Sequence, residues 1–73
     1  MTYDVAKGQR FKHYKGGTYK FLCFATHTEQ EEGLVVYTDE NSQVWARPLE
    51  MFFGYTDDGT KRFVEINEWE EYE

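Results

Sequence analysis

In 73 residues the chain has one cysteine, one proline, one serine and two histidines, and each scarcity closes off a class of protein. A lone Cys23 cannot form an internal disulfide, whereas small secreted domains normally carry several bridges. A reducing cytoplasm is therefore the expected setting. No stretch approaches the ~18 apolar residues of a membrane span. The N-terminal segment MTYDVAKGQRF lacks the apolar region of a secretory signal. No segment of ten or more residues carries an apolar stripe at the 3.6-residue period, so helix is the minority state. The sequence contains no GxGxxG, P-loop or GxSxG motif, and neither HxxxH nor CxxC spacing. A chain this short buries only ~60% of its unfolded surface. That leaves no room for a second lobe or a cofactor-sized interior, and no cofactor is expected.

What is abundant is aromatic. Six Phe, six Tyr and two Trp make 19% of the residues, which excludes disorder, since disordered chains are poor in such side chains. The net charge of −6 predicts solubility and argues against general nucleic-acid binding. It is unevenly spread. Residues 1–27 carry five basic side chains against Asp4 alone, a net +4, and residues 28–73 carry three against thirteen acids, a net −10. Folding one half against the other makes this self-complementation; a local basic patch for a phosphate or carboxylate is the sharper alternative.

Gly and Pro cut the chain into short pieces. Gln9 to Tyr14 alternates polar and aromatic residues and ends at Gly16-Gly17, a strong turn signal. Thr18 to His27 reads as a strand, with Tyr19, Phe21, Cys23 and Ala25 on one face by the two-residue period. Leu34 to Tyr37 and Val44 to Arg47 are two more strands, separated by the turn cluster Asp39 to Ser42. Pro48 stops the second of these and opens one helical turn through Phe53, with proline at its first position. Asp57-Asp58-Gly59 turns the chain into a last strand, Lys61 to Ile66. Five short strands at roughly ten-residue spacing predict a mainly β fold. The expected architecture is a small five-stranded SH3-like barrel with one short helical turn before the last strand. It spans residues 1–66, with an acidic tail at 67–73.

Several of these pieces form an ordered set: His13-Tyr14-Lys15-Gly16-Gly17-x-Tyr19, His27-Thr28-Glu29, Leu34-Val35-Val36-Tyr37, Trp45-x-Arg47-Pro48-Leu49-x-Met51-Phe52 and Arg62-Phe63. The set resembles the bacterial family known as domain of unknown function 1653, over about residues 8 to 66. The resemblance implies a small bacterial protein with an SH3-type barrel and supplies no activity. Gln30 stands where the family pattern leads one to expect Thr, and Ala46 where a bulkier residue is expected.

The residues suited to chemistry form a set rather than a spacing motif. His13, Tyr14, Lys15, His27, Thr28, Tyr37, Trp45 and Arg47 are polar-tipped or amphipathic, and several fall at strand ends. Tyr and Trp offer flat stacking surfaces, and the planar fork of Arg suits a carboxylate or phosphate. The leading expectation is a non-catalytic module that binds an anionic small molecule or a peptide. For Trp45 and Arg47 a core role is the rival reading. His13, His27 and Glu29 would just meet the three ligands of a catalytic zinc, a metal-assisted hydrolase being a further alternative, though no metal is expected. Cys23 reads as core filler. Met51, Phe52 and Phe53 cannot all be buried by one helical turn. With Trp69 of the tail, Met51 and Phe53 make candidate contacts for a homodimer or for docking on a larger enzyme.

Overall fold

The computed structural model describes residues 5–66. Gly16 and Gly17 take φ angles of 106° and 89°, a region that a Cβ disfavours. They reverse the chain between β1 (Arg10–His13) and β2 (Thr18–Thr26). Two short bonds close this turn: Gly16 N–H donates to the His13 carbonyl at 2.8 Å, and His13 N–H to the Gly17 carbonyl at 3.1 Å. β3 (Gly33–Thr38) and β4 (Val44–Pro48) continue the meander. Between them Asp39 Oδ1 accepts the backbone N–H groups of Asn41 and Gln43 at 2.8 and 2.9 Å, the local bonding for which Asp is favoured in turns. Pro48 ends β4 and precedes the helix rather than opening it; α1 is Leu49–Phe53. A residue without N–H is tolerated there because β4 is an edge strand. β5 (Phe63–Ile66) completes the fold.

The five strands form one antiparallel sheet in the order β4-β3-β2-β1-β5. The fold is mainly β, with the short helix before the last strand, as the sequence predicts. The closed barrel is not what the structure shows: β4 and β5 remain the two edges of an open sheet. The sheet nevertheless folds over itself. Tyr37 and Phe63 lie three strands apart, a separation of ~14 Å in a flat sheet, yet their ring centroids are 5.8 Å apart. Helix α1 fills the gap that a β4–β5 ladder would close. Phe52 stacks on Phe63 at 4.1 Å with planes 7° apart, and meets Phe11 and Tyr37 at 5.1 and 5.3 Å. Phe11, Phe21, Val35, Tyr37, Phe52 and Phe63 make the buried core.

Two expectations about individual residues change. Cys23 is exposed rather than core. The β2–β3 register shifts between Phe21 and Cys23, so a bulge at Leu22 inverts the parity of the second half of β2. Phe24 then pairs with the buried Val35, and its ring meets Phe21 at 5.0 Å. Phe53 is half-buried, packing on Phe52 and Phe11 at 5.0 and 6.5 Å. Within the helical turn it is Met51 that stays exposed. Trp69 lies outside the described residues.

Candidate ligand groove

Directly opposed residues of antiparallel strands project from the same face. The β3–β4 register pairs Tyr37 with Trp45 and Val35 with Arg47. Val35 and Tyr37 are buried, so Trp45 and Arg47 leave β4 on the core side of the sheet. Because β4 is an edge, they form the rim of the core rather than its interior, and Trp45 remains 44% exposed. With Tyr19, Tyr37 and Asp39 they line a groove of about 220 Å³.

The groove is held by polar contacts of its own. Trp45 Nε1–H donates to Asp39 Oδ2 at 2.9 Å. This bond, with those from the Gln43 and Asn41 backbone, holds the Asp39 carboxyl below its ordinary range, so the carboxylate persists as a fixed acceptor. Arg47 Nε–H donates to the Tyr37 hydroxyl at 3.3 Å, and its guanidinium lies 5.5 Å over the Phe63 ring. The Nη groups of Arg47 have no acceptor among the described residues.

β1 extends this surface. His13 is paired with Phe63, and its ring lies 4.8 Å from Phe63, 6.2 Å from Tyr19 and 4.7 Å from Tyr14. His13 Nδ1 accepts the Lys15 backbone N–H at 3.2 Å, which leaves the neutral ring its proton on Nε2. Burial holds its pKa below the ordinary value, and the positive charges of Arg47, Lys15 and Arg62 lower it further. Tyr14 is exposed, with Lys15 Nζ 5.7 Å from the centre of its ring.

The structure thus gathers His13, Tyr14, Lys15, Tyr37, Trp45 and Arg47 toward one end of the sheet. Tyr37 belongs there in a different capacity from that expected: its ring is core, 4% exposed, and only its hydroxyl reaches Arg47. His27 and Thr28 do not join the group. They follow the far end of β2, ~25 Å along the strand from His13, where His27 Nδ1 accepts the N–H groups of Glu29 and Gln30 at 3.2 Å each. His13, His27 and Glu29 therefore cannot share a metal ion. Among the described residues no group of three or more His, Cys, Asp or Glu is placed to hold one.

A family model described as protein of unknown function (DUF1653) matches residues 9–65, from the strand that carries His13 to the strand that carries Phe63. The chain belongs to this family. No match was found among curated proteins or among solved structures. Every wall of the groove in this DUF1653 domain falls inside the matched span. No helix among the described residues is long and apolar enough to cross a membrane.

Sequence reasoning missed three members of the site: Tyr19 and Asp39 as walls, and Phe63 as the ring beneath Arg47. The i, i+2 spacing of Trp45 and Arg47 was a readable sign that both share a face. Asp39 carried a signal too, in its turn-forming position ahead of Asn41 and Gln43. Phe63 had none, since it arrives through the long-range pairing of β5 with β1.

Proposed function

We propose that the domain is a non-catalytic binding module that holds a small organic anion in the groove of Tyr19, Tyr37, Trp45 and Arg47. The observation that carries this reading is Arg47. Its Nε is fixed by Tyr37 while its Nη donors face no protein acceptor among the described residues. Two parallel N–H groups so disposed suit a carboxylate or phosphate oxygen pair. Trp45, oriented by Asp39, supplies a flat surface beside them. The volume of about 220 Å³ is below the ~300–1,000 Å³ of drug-sized sites. It fits one ring and one anionic group rather than a dinucleotide or other large cofactor. Side chains with nucleophilic potential stand elsewhere: Cys23 is on the opposite face of β2 and Ser42 is exposed in the β3–β4 turn.

The test is a titration with benzoate and phenyl phosphate, followed through the Trp45 Nε1–H and Arg47 Nε–H resonances. Both resonances should move together. Arg47→Lys, which keeps the charge and loses the fork, should weaken binding about 10–100-fold, as expected for a charge-assisted bond of ~1.5–3 kcal/mol. Stationary resonances with both probes, or unchanged affinity in Arg47→Met, would overturn the reading.

A further inference from the structure

The walls of the groove carry two opposite charges, and neither is spent on the other. Arg47 stands at one end, with its Nε–H on the Tyr37 hydroxyl and no acceptor for its Nη donors among the described residues. Asp39 stands at the other end, a wall of the same groove. Strand register sets the two apart. Asp39 N–H donates to the Gln43 carbonyl at 3.1 Å, while Arg47 is opposite Val35. Gln43 and Arg47 are separated by ~13 Å at the strand rise, and the Tyr37–Trp45 pair lies between them. The groove therefore runs along the strands, positive at one end, negative at the other and aromatic in the middle.

The negative end offers more than its turn requires. Asp39 Oδ1 accepts the Asn41 and Gln43 N–H groups, but Oδ2 accepts only the Trp45 indole. An ionised carboxylate has sites for about four donors, so Oδ2 keeps one open. No basic side chain among the described residues pairs with Asp39. Past Tyr19 the groove adjoins a second depression, of about 190 Å³, which shares Tyr19 and Asp39 with it. Glu40 joins Asp39 there, its Oε2 accepting the Thr18 N–H at 3.1 Å, and no basic residue lines it. An anion without a positive charge of its own would meet these carboxylates as like charges. A ligand with an ammonium at that end gains from the same groups.

We infer that the natural ligand is a small zwitterion, an aromatic compound with a carboxylate at one end and an ammonium at the other. The carboxylate meets the Nη groups of Arg47, and the ring lies along Trp45 and Tyr19. The ammonium donates to Asp39 Oδ2, with Glu40 beside it. This inference rests on the groove proposed above; it keeps the anionic group of that reading and adds the charge that the opposite end calls for. A plain amine would leave the Arg47 fork unanswered, and a plain carboxylate would leave Asp39 without a counter-charge.

Matched probes titrated by calorimetry into the full chain separate the claims. They are para-(aminomethyl)benzoate, para-ethylbenzoate, in which a methyl group replaces the ammonium, and benzylamine, which lacks the carboxylate. The zwitterion should bind about three- to fivefold more tightly than para-ethylbenzoate, the scale of an exposed ion pair. Asp39→Asn keeps the carbonyl oxygen that the turn uses and removes the charge; it should abolish this preference or reverse it. Glu40→Gln, at an exposed position, keeps its acceptor and should reduce the preference by a smaller factor. It carries the test if Asp39→Asn does not fold. Para-ethylbenzoate binding as tightly as the zwitterion, or a preference that the substitutions do not move, would overturn the zwitterion and leave the groove standing. Benzylamine binding as tightly as the zwitterion would overturn the part given to Arg47. If neither carboxylate binds, the groove itself is refuted.

Discussion

Each end of β2 is followed or preceded by a histidine that does the same local work. His13 Nδ1 accepts the N–H of Lys15, and His27 Nδ1 accepts those of Glu29 and Gln30. In sequence the two segments, His13-Tyr14-Lys15 and His27-Thr28-Glu29, look like equal candidates for a functional site. Their surroundings differ completely. His13 is drawn by its pairing with Phe63 onto the aromatic core and among three cations. His27 belongs to a loop whose bonds are its own, with His27 N–H on the Glu32 carbonyl and Glu31 N–H on the His27 carbonyl. The same side chain with the same turn bonding is therefore a shaped part of a groove at one end and a turn stabiliser at the other. Strand register, not local motif, makes the difference.

The contrast can be broken most severely at Phe63. This ring is buried against Phe52, Tyr37, Tyr19 and His13, and Phe63→Ala should cost about 3–5 kcal/mol. Against the ~5–15 kcal/mol of a typical domain, urea denaturation should show a large fall in midpoint or an unfolded chain. A loss below 1 kcal/mol would mean that the His13 end does not depend on β5.

A smaller effect is expected at the opposite end. A Cβ on Gly33 would collide with the Leu49 side chain of α1, and Gly33→Ala should destabilise by about 1–3 kcal/mol, the usual cost of overpacking. Trp45 Nε1–H should keep its chemical shift in this variant, because the groove is remote from Gly33. A shifted indole resonance would show the two ends to be coupled.

The histidines themselves give a subtler test. Unfolded His13 takes up its proton near the ordinary value of 6.5, and the folded ring does so at lower pH. Below 6.5 the unfolded state therefore binds more protons, so stability is full above that value and falls as the pH drops, until folded His13 protonates. His13→Gln should flatten this part of the pH profile. An unchanged slope in His13→Gln would contradict the assigned burial among cations.

The smallest change should come from Lys15→Ala. An exposed cation over an exposed Tyr14 contributes at most about 0.5–1 kcal/mol. The melting temperature should move by no more than a few degrees, and a larger drop would mean that Lys15 is structural.

Much of the fold was legible in punctuation and period. Gly16-Gly17, Asp39 to Ser42 and Asp57 to Gly59 marked the turns, and the short β-branched and aromatic runs marked the strands. What period alone cannot supply is an interruption of the period. The bulge at Leu22 moved Cys23 to the outer face and brought Phe24 round to pair with Val35. Tyr37 stands out in sequence for its polar tip, while its spacing from Val35 already places its ring on the buried face. That Phe53 is half-buried while Met51 is exposed was not readable, because a single helical turn has too few positions to reveal which side faces inward. Of the site, the residues on one strand were readable. Those delivered by a partner strand fifty residues away, as Phe63 is to His13, were not.

That pairing also sets an order of events. The ladders β1–β2, β2–β3 and β3–β4 join neighbours in the chain, whereas β5 must find β1 across nearly the whole domain. Closing the longer loop carries the larger entropic cost, and such contacts form late and slow the search. The four-strand meander is thus the natural nucleus, and substitutions in β5 should accelerate unfolding while hardly slowing folding. Since Phe63 seats His13, the His13 side of the surface should form after the groove walls carried by β2, β3 and β4 and be the first part to be lost.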